Sequence, residues 1–422
     1  MKINFYQFFF KSLIIIFFLI LFYIFYKSEI YYSSNNRSYY LVYYILILSI
    51  IFFSFISLYL KIIIQKYIII FFLSSFFALY FFEGVQIFLQ KNIFFDKRSI
   101  SDVYVDLKKT NPNVTVYVPP STHLSENKNE FLSLAGISKA KTIYCNEIGY
   151  FSIYQSDRYG FNNPDEEWDS EEIEYLLIGD SLTHGACVNR PNDIASVLRL
   201  NKKKVLNLGQ GGNGPLIEYA TLREYLTPNI KKVIWLYFEG NDLYDLEIEL
   251  KNIILNKYLK DQNFKQDLKI KQIQIDKYLN NLVEKSFRHE KKIIKFIKLF
   301  NTRNLLFSQT PTYNPLPPLI PPEMREILKS ANELIQKYNG KLYFIYLPAI
   351  SRYTNSDYSK NYDFKKDIKK IVNDLGIEFI DIDEEVFKKE NNPLKLFPFE
   401  KKYHYNVEGY KKIAIKIYDK TK

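Results

Sequence analysis

The first 90 residues consist largely of long apolar runs. Three of them, at residues 5–26, 39–60 and 67–88, are rich in Ile, Leu, Phe and Tyr, and each can cross about 30 Å of bilayer at about 1.5 Å per residue. The pattern therefore predicts an anchor of three transmembrane helices over residues 1–90. Glu83 interrupts the third run, so an interfacial helix is the alternative there. The first run is not followed by a small-residue cleavage site, and we expect it to remain attached.

The number of predicted spans decides the expected orientation. Lysine and arginine occur at both ends of the runs, so the positive-inside rule does not favour either side. An odd number of spans that starts in the cytoplasm places residues 90–422 outside it. We therefore expect an integral membrane protein whose following domain is extracytoplasmic.

Beyond the anchor, the pattern of apolar positions changes twice. Residues 91–174 form a polar linking region with turn-rich stretches, which predict loops and short strands packed on the domain that follows. From residue 175 onward, short apolar runs alternate with amphipathic stretches. The runs predict strands at residues 175–179, 204–208, 232–238, 342–347 and 377–381. The amphipathic stretches predict helices near residues 192–200, 215–226, 322–338, 363–374 and 406–419. This alternation is typical of an α/β domain with a parallel sheet between two layers of helices.

A long insertion interrupts the predicted α/β domain, residues 175–422, at about residues 244–321. Its first part is lysine-rich and helical in pattern, whereas its end contains several prolines, which cannot continue a helix. A lid or a membrane contact is compatible with this pattern. A solvated helical excursion is the default expectation for such a charged stretch.

Charge and cysteine content narrow the classes of partner. The chain has 57 Lys and Arg against 46 Asp and Glu, and the excess lysine is scattered through the second half. That distribution favours contact with membrane lipids over nucleic acid. The two cysteines, Cys145 and Cys187, show no spacing typical of a metal site, and we predict neither a metal nor a cofactor. In an oxidising compartment they could form a disulfide that holds the linking region beside residue 187; two unpaired buried thiols are the alternative.

The first predicted strand of the α/β domain ends in a serine motif. Gly179-Asp180-Ser181-Leu182 follows directly on an apolar run, at the carboxyl end of a buried strand, where open α/β sheets bind their ligands. A serine at this position can also simply cap the next helix. The motif alone therefore leaves both interpretations open.

Three further blocks follow in order at the predicted strand ends and near the carboxyl terminus. They are Asn207-Leu208-Gly209-Gln210-Gly211-Gly212-Asn213, Phe238-Glu239-Gly240-Asn241-Asp242 and His404-Tyr405-Asn406-Val407-Glu408-Gly409. Together with the serine motif, the blocks resemble the SGNH (GDSL) hydrolase superfamily over residues 175–420. The resemblance implies a flavodoxin-like three-layer sandwich with a five-stranded parallel sheet.

The resemblance also implies a role for four residues. Ser181 would be the nucleophile and His404 the general base, while Gly212 and Asn241 would join the Ser181 amide in an oxyanion hole. The chemistry suits these residue types, because a serine hydroxyl needs an adjacent base, and a tetrahedral oxyanion needs neutral hydrogen-bond donors. Asp180 and Asp242 adjoin these positions, and we expect their side chains to brace the loops.

The chain departs from the superfamily pattern at two positions. The usual aspartate three residues before the catalytic histidine is Lys401 here, and the adjacent Glu400 is a candidate to orient His404, alongside a backbone carbonyl. Glu239 stands where the third block usually has glycine. Of the other histidines, His184 is expected to pack in the fold, and His123 and His289 to lie at the surface.

Two rival interpretations fit less of the sequence. Gly209-x-Gly211-x-x-Gly214 matches a dinucleotide fingerprint, but the acidic residue expected about 20 positions later would fall near Ile234, inside an apolar run. Ser181 does not lie in the GxSxG motif of the α/β-hydrolases.

Three functions remain open from the sequence. The first is an esterase that cleaves acyl or acetyl groups from a carbohydrate or a lipid. The second is an O-acyltransferase that uses the same serine and histidine to modify a surface polysaccharide. The third is a binding or assembly protein with a decayed site, which the lysine at position 401 motivates. The sequence does not distinguish water from a sugar hydroxyl as the acyl acceptor.

Overall fold

The computed structural model describes residues 4–31, 37–89, 95–124, 131–201, 203–287, 292–307, 319–354 and 363–422. The chain forms two compact units, each with its own internal packing. The first contains Met1–Leu89 and Lys291–Thr310, and the second contains Gln90–Glu290 and Pro311–Lys422.

The helices of the described residues are numbered in chain order. They are α1 (Phe5–Phe25), α2 (Arg37–Ser57), α3 (Ile62–Leu89), α4 (Ile100–Lys108), α5 (Ser181–His184), α6 (Ile194–Leu200), α7 (Pro215–Tyr225), α8 (Asp242–Glu249), α9 (Ile253–Lys260), α10 (Gln272–Ser286), α11 (Lys292–Ile297), α12 (Phe300–Phe307), α13 (Glu323–Lys337), α14 (Ser351–Thr354), α15 (Lys365–Asp374), α16 (Ile382–Glu385) and α17 (Val407–Thr421). A π-helical turn, Tyr26–Tyr31, follows α1.

The strands form two sheets in the second unit. They are β1 (Val114–Val116), β2 (Lys141–Ile143), β3 (Ile153–Gln155), β4 (Ile173–Gly179), β5 (Val205–Asn207), β6 (Ile230–Phe238), β7 (Lys341–Leu347) and β8 (Glu378–Asp381). The larger sheet has the order β5-β4-β6-β7-β8, and all of its strands are parallel. This is the flavodoxin-like strand order, in which ligands bind at the carboxyl edge beside the first strand. The predicted α/β class, parallel five-stranded sheet and preceding apolar helices are confirmed.

Helices cover both faces of the large sheet because successive strand residues point to opposite sides. Leu176 and Ile178 of β4 belong to a core shared with α7, α9, α10, α13 and α15. Tyr175 and Leu177 belong to the opposite core, which is shared with α6 and α17. A strand that is buried on both faces appears in the sequence as a continuous apolar run. The predicted bounds of these five strands therefore lie within two residues of the observed ones.

The linking region contributes a second, smaller sheet. Strand β2 pairs with β1 in parallel and with β3 in antiparallel orientation. Residues 144–152, here named the acid loop, connect β2 to β3. The backbone amide of Tyr144 donates to the carbonyl of Ser152 at 2.9 Å, and that of Ser152 donates to the carbonyl of Cys145 at 2.8 Å. Hydrogen bonds within the loop therefore fix its shape.

Helices α1, α2 and α3 are the long apolar helices of the first unit. The spans Phe5–Ile30, Tyr39–Ser57 and Ile62–Leu89 are each long and apolar enough to cross a membrane. This supports membrane association of the chain. The third span is one continuous helix of 28 residues despite Glu83.

Glu83 is fully buried in the first unit and holds helix α12 against α3. Its carboxylate accepts hydrogen bonds from the backbone amide of Asn301 at 3.1 Å and that of Thr302 at 2.8 Å. The side chains of Asn301 and Thr302 each donate to it at 2.8 Å. The hydroxyl of Tyr80 also donates to the carbonyl of Ile297 at 2.8 Å. A carboxylate at the amino end of α12 satisfies amides that have no partner within the helix.

The insertion differs from the default expectation of a solvated excursion. Leu255 of α9 and Ile275, Leu279 and Val283 of α10 are buried in the core of the second unit. Helices α11 and α12 pack instead with α3. The apolar positions of these lysine-rich helices therefore have partners in the fold. The proline-rich stretch at residues 311–318 lies outside the described residues.

Candidate active site

Ser181 is the second residue after β4 and opens the short helix α5. Asp180 caps this helix: its carboxylate accepts from the backbone amide of Leu182 at 2.9 Å. The Ser181 hydroxyl lies 3.1 Å from the second carboxylate oxygen of Asp180. It also lies 3.0 Å from Nε2 of His404. The structure thus brings together the two residues that the sequence predicts as nucleophile and base.

The second nitrogen of His404 faces a residue that the sequence analysis did not identify. Nδ1 of His404 lies 3.1 Å from one carboxylate oxygen of Glu147, and the backbone amide of His404 donates to the other at 3.0 Å. With its proton on Nδ1, the imidazole donates to Glu147 and presents the Nε2 lone pair to Ser181. A continuous Ser181–His404–Glu147 hydrogen-bonded chain results.

The ionisation of Glu147 suits an orienting role. Burial acts to raise its pKa, but the hydrogen bonds and charge of His404, together with Lys402, outweigh burial and hold the pKa below its usual range. The carboxylate therefore remains ionised at neutral pH and can stabilise an imidazolium. Glu400, the candidate named from the sequence, is exposed and contacts the side-chain amide of Asn392 at 3.4 Å instead.

Asp180 is the second carboxylate near the nucleophile. It is fully buried, and burial raises its pKa, against the lowering effects of the Leu182 amide, the charge of His404 and the Ser181 hydrogen bonds. The expected bracing of the loop by Asp180 is present in its cap of α5. Its contact with the Ser181 hydroxyl adds a direct link to the nucleophile.

Gly212 follows β5 in a left-handed backbone conformation, with φ of +77°. A Cβ at this position would approach the Ser121 hydroxyl to 3.0 Å, so a side chain would be both strained and crowded. The neighbouring Gly211 is close to the nucleophile, since a Cβ there would lie 3.5 Å from Cβ of Ser181 and would collide with the Tyr144 hydroxyl. The glycines thus allow the backbone to pass close beside Ser181.

Asn241 lies at the start of α8, after β6, which is the neighbour of β4 in the sheet. Its side-chain amide donates to Asp245 at 2.5 Å. One amide hydrogen is used in this bond, and the second is available to another acceptor. Burial raises the pKa of Asp245 to about 7, against the lowering effect of the Asn241 hydrogen bond.

His184 lies close in sequence to Ser181 but packs in the core, as expected. Its ring contacts those of Tyr117, Tyr144 and Tyr154 at centroid distances of 4.9, 4.4 and 5.0 Å. Burial, and to a lesser degree His404, lowers its pKa to about 3. A neutral ring enclosed by tyrosines supports the fold. His123 lies in a short 3₁₀ turn, and His289 lies outside the described residues.

Glu239, at the end of β6, forms hydrogen bonds and an ion pair with residues at the end of β7 and beyond it. This buried carboxylate accepts from the Tyr346 hydroxyl at 2.5 Å and from the Ala349 amide at 2.8 Å. It also forms an ion pair with Arg352. Glu239 therefore joins the end of β6 to the loop after β7.

Cys145 and Cys187 form a disulfide whose Cα atoms are 4.9 Å apart. Of the two alternatives open from the sequence, the paired one is therefore observed. Among the described residues, Glu147, Cys187 and His404 place possible metal-ligating atoms within 4.8 Å of one another. Because the Cys187 sulfur is bonded to Cys145, it does not offer the thiolate that metal binding requires.

No family model and no curated protein matches the sequence. Among solved structures, the chain is similar to a protein from Desulfitobacterium hafniense that is described as lipolytic and of the G-D-S-L family. The two are 13% identical, and the match covers 60% of this chain and 100% of the other, with a TM-score of 0.33. At so low a similarity, the interpretation of the site rests on the geometry of its own residues.

Proposed function

We propose that the chain is a membrane-anchored serine hydrolase of the SGNH type, which cleaves acyl or acetyl esters of a carbohydrate or a lipid. The observation that carries this proposal is the hydrogen-bonded chain from Ser181 through His404 to Glu147, at the carboxyl edge of a parallel sheet. A serine with a hydrogen-bonded, oriented base is the arrangement that acyl-transfer chemistry requires.

The mechanism follows from this geometry. His404 accepts the Ser181 proton at Nε2 as the oxygen attacks the ester carbonyl, and Glu147 stabilises the imidazolium that forms. The same proton then passes to the leaving alcohol, and an acyl-enzyme remains. Water, activated by His404 in the same way, releases the acid and restores the serine.

The Ser181 and Gly212 amides and the side chain of Asn241 are the proposed donors to the oxyanion. Loss of one such donor typically costs about 3–4 kcal/mol of transition-state stabilisation. Asp245 supports the assignment of Asn241, since its hydrogen bond fixes the side-chain amide and leaves one N–H to donate.

The disulfide supports an extracytoplasmic location for this domain, because such bonds persist mainly in oxidising compartments. A hydrolase tethered there meets lipids and surface polysaccharides at short range. The intact three-residue chain also weighs against the decayed-site alternative, which was motivated by the absence of the usual aspartate before His404.

The proposal is tested with the full chain in detergent, using a fluorophosphonate probe and small acyl esters. Wild-type protein should take the label and hydrolyse the esters. Ser181→Ala and His404→Ala should each abolish turnover, and the double variant should be little worse than either, since the two residues act as a unit. Ser286→Ala, an exposed serine at the end of α10, is the matched control and should behave like wild type.

Labelling that persists in Ser181→Ala would show that the nucleophile is another residue. The acceptor is identified by adding candidate glycans to the same reaction. Acyl groups recovered on the glycan would indicate transfer, whereas free acid alone would indicate hydrolysis.

A further inference from the structure

Glu147 reaches His404 from outside the large sheet. It belongs to the acid loop, between two strands of the small sheet, whereas Ser181 and His404 belong to the α/β domain. The triad is therefore assembled from residues of two different sheets, which share one hydrophobic core, and the position of its acid depends on the contacts that join them.

The Cys145–Cys187 disulfide is a covalent link between these parts. Cys145 lies two residues before Glu147 in the acid loop, and Cys187 lies six residues after Ser181, in the turn beyond α5. Cys187 is fully buried, and its backbone is left-handed with φ of +61°. Its sulfur lies 3.9 Å from Nδ1 of His404, the nitrogen that Glu147 also faces. Nδ1 of His404 thus lies next to both the disulfide and the Glu147 carboxylate.

Noncovalent contacts also hold the acid loop. The side-chain amide of Asn146 donates to the carbonyl of Asp96 at 2.7 Å, and the Asp96 amide donates to the carbonyl of Gly149 at 2.7 Å. Ile148 packs against the core that the large sheet shares with α6 and α17. Asn146 holds the loop in shape by accepting from the Gly149 amide at 3.0 Å. The amide of Ile153, just after the loop, donates to Asn189 at 2.8 Å. Beside these contacts, the disulfide is the covalent bond that fixes the distance from Glu147 to the segment after the nucleophile.

We propose that this disulfide positions Glu147 for catalysis, and that its reduction by a dithiol uncouples Glu147 from His404 and switches the enzyme to a low-activity state. The inference rests on the proposed function and adds a redox dependence to it. Glu147 is a positioning residue here, since it acts on the substrate through His404.

The chemistry of the switch is ordinary thiol–disulfide exchange. A dithiol thiolate attacks the half-buried Cys145 sulfur, the S–S bond breaks, and the electron pair leaves on Cys187. The second thiol of the reagent then displaces Cys145 from the mixed disulfide. Two electrons pass to the protein, both cysteines end as thiols, and the dithiol becomes a cyclic disulfide.

The experiment uses the full chain in detergent with dithiothreitol, and mass spectrometry confirms the reduction of the disulfide. We expect kcat to fall by roughly 100-fold or more with little change in KM, because the binding surface is retained and only the base is disoriented. Re-oxidation should restore kcat. The Cys145→Ser/Cys187→Ser variant should have a low kcat from the start and should not respond to the reagent.

Two further variants connect the effect to Glu147. In Glu147→Gln, reduction should lower kcat only slightly further, because both changes remove the same interaction. The matched control Glu400→Gln should keep the full response, since Glu400 does not contact His404. Reduction that lowers kcat equally in Glu147→Gln and in wild type would overturn the proposal, as would a loss that coincides with global unfolding.

A measurement independent of activity uses the backbone amide of His404, which donates to Glu147. Hydrogen exchange of the peptide containing this amide should accelerate on reduction while the large sheet remains protected. Unchanged exchange in a fully reduced protein would refute the positioning role even if no ester were hydrolysed. Absence of labelling and turnover in the oxidised protein would instead refute the proposed function.

Discussion

Replacement of Glu147 by glutamine tests the triad most directly. The two carboxylate oxygens of Glu147 serve as two acceptors, one for the His404 backbone amide and one for Nδ1. Glutamine has the same shape but only one oxygen, and its NH₂ group is a donor. If the oxygen keeps the backbone amide, the NH₂ group faces Nδ1 and favours the tautomer with its proton on Nε2. The imidazole then has no lone pair directed at Ser181.

The expected magnitude follows from this tautomer change. Loss of the correct tautomer in a serine triad lowers kcat by roughly 10³–10⁴-fold, which is about 4–6 kcal/mol at about 1.4 kcal/mol per factor of ten. The assay is ester hydrolysis over a range of substrate concentrations, so that kcat and KM are resolved. Glu400→Gln makes the same chemical change four residues before His404 and should leave kcat within about twofold of wild type, as expected of an exposed side chain.

Comparable kcat values for the two glutamine variants would refute the reasoning, because the buried hydrogen bond would then have no catalytic consequence. A rise in KM at constant kcat would place Glu147 in substrate binding instead. Thermal unfolding of both variants should accompany the kinetics, so that loss of folded protein is not read as loss of catalysis.

Three further predictions concern the oxyanion donors, the buried acids and the first unit. Asn241→Ala should lower kcat by roughly 100-fold or more with little change in KM, measured by ester hydrolysis. Burial raises the pKa of Asp245 to about 7 and that of Glu249 to about 8, so the folded chain keeps protons that the unfolded chain releases. The free energy of unfolding should therefore decrease as the pH rises from about 4, the usual pKa of a carboxyl group, to about 8. A Glu249→Gln variant should show a flatter profile of thermal unfolding against pH. Glu83→Ala should accelerate hydrogen exchange at the Asn301 and Thr302 amides, and unchanged exchange would contradict the role given to that carboxylate.

The large sheet could be predicted from sequence because its signals are local. The central strands β4, β6 and β7 are apolar runs buried on both faces, and the long helices that cover them repeat apolar positions at helical spacing. The small sheet has weaker signals, since its strands are only three residues long and pair across a loop. The packing of α9 and α10 was missed because lysine-rich exposed faces outweigh a few buried positions when no partner is visible in the sequence.

The predicted site was incomplete for a similar reason. Ser181 and His404 lie within recognisable blocks, and the structure brings them together. Glu147 lies in no motif, and its partner is 257 residues away in the chain. The one signal that could have located it was Cys145, two residues earlier, because pairing with Cys187 brings this loop close to the nucleophile.

The carboxylate of Glu83 has consequences for how the anchor is made. Its partners Asn301 and Thr302 lie 218 and 219 residues further along the chain, so they are synthesised long after the third span. Until then, a carboxyl group in an apolar helix lacks the four hydrogen bonds that satisfy it in the finished protein. Residues 1–89 therefore depend on residues 301 and 302 and do not form a self-sufficient membrane anchor. Transplanted onto another domain, they would carry an unsatisfied acid, because the chain supplies the partners of Glu83 only 218 and 219 residues later.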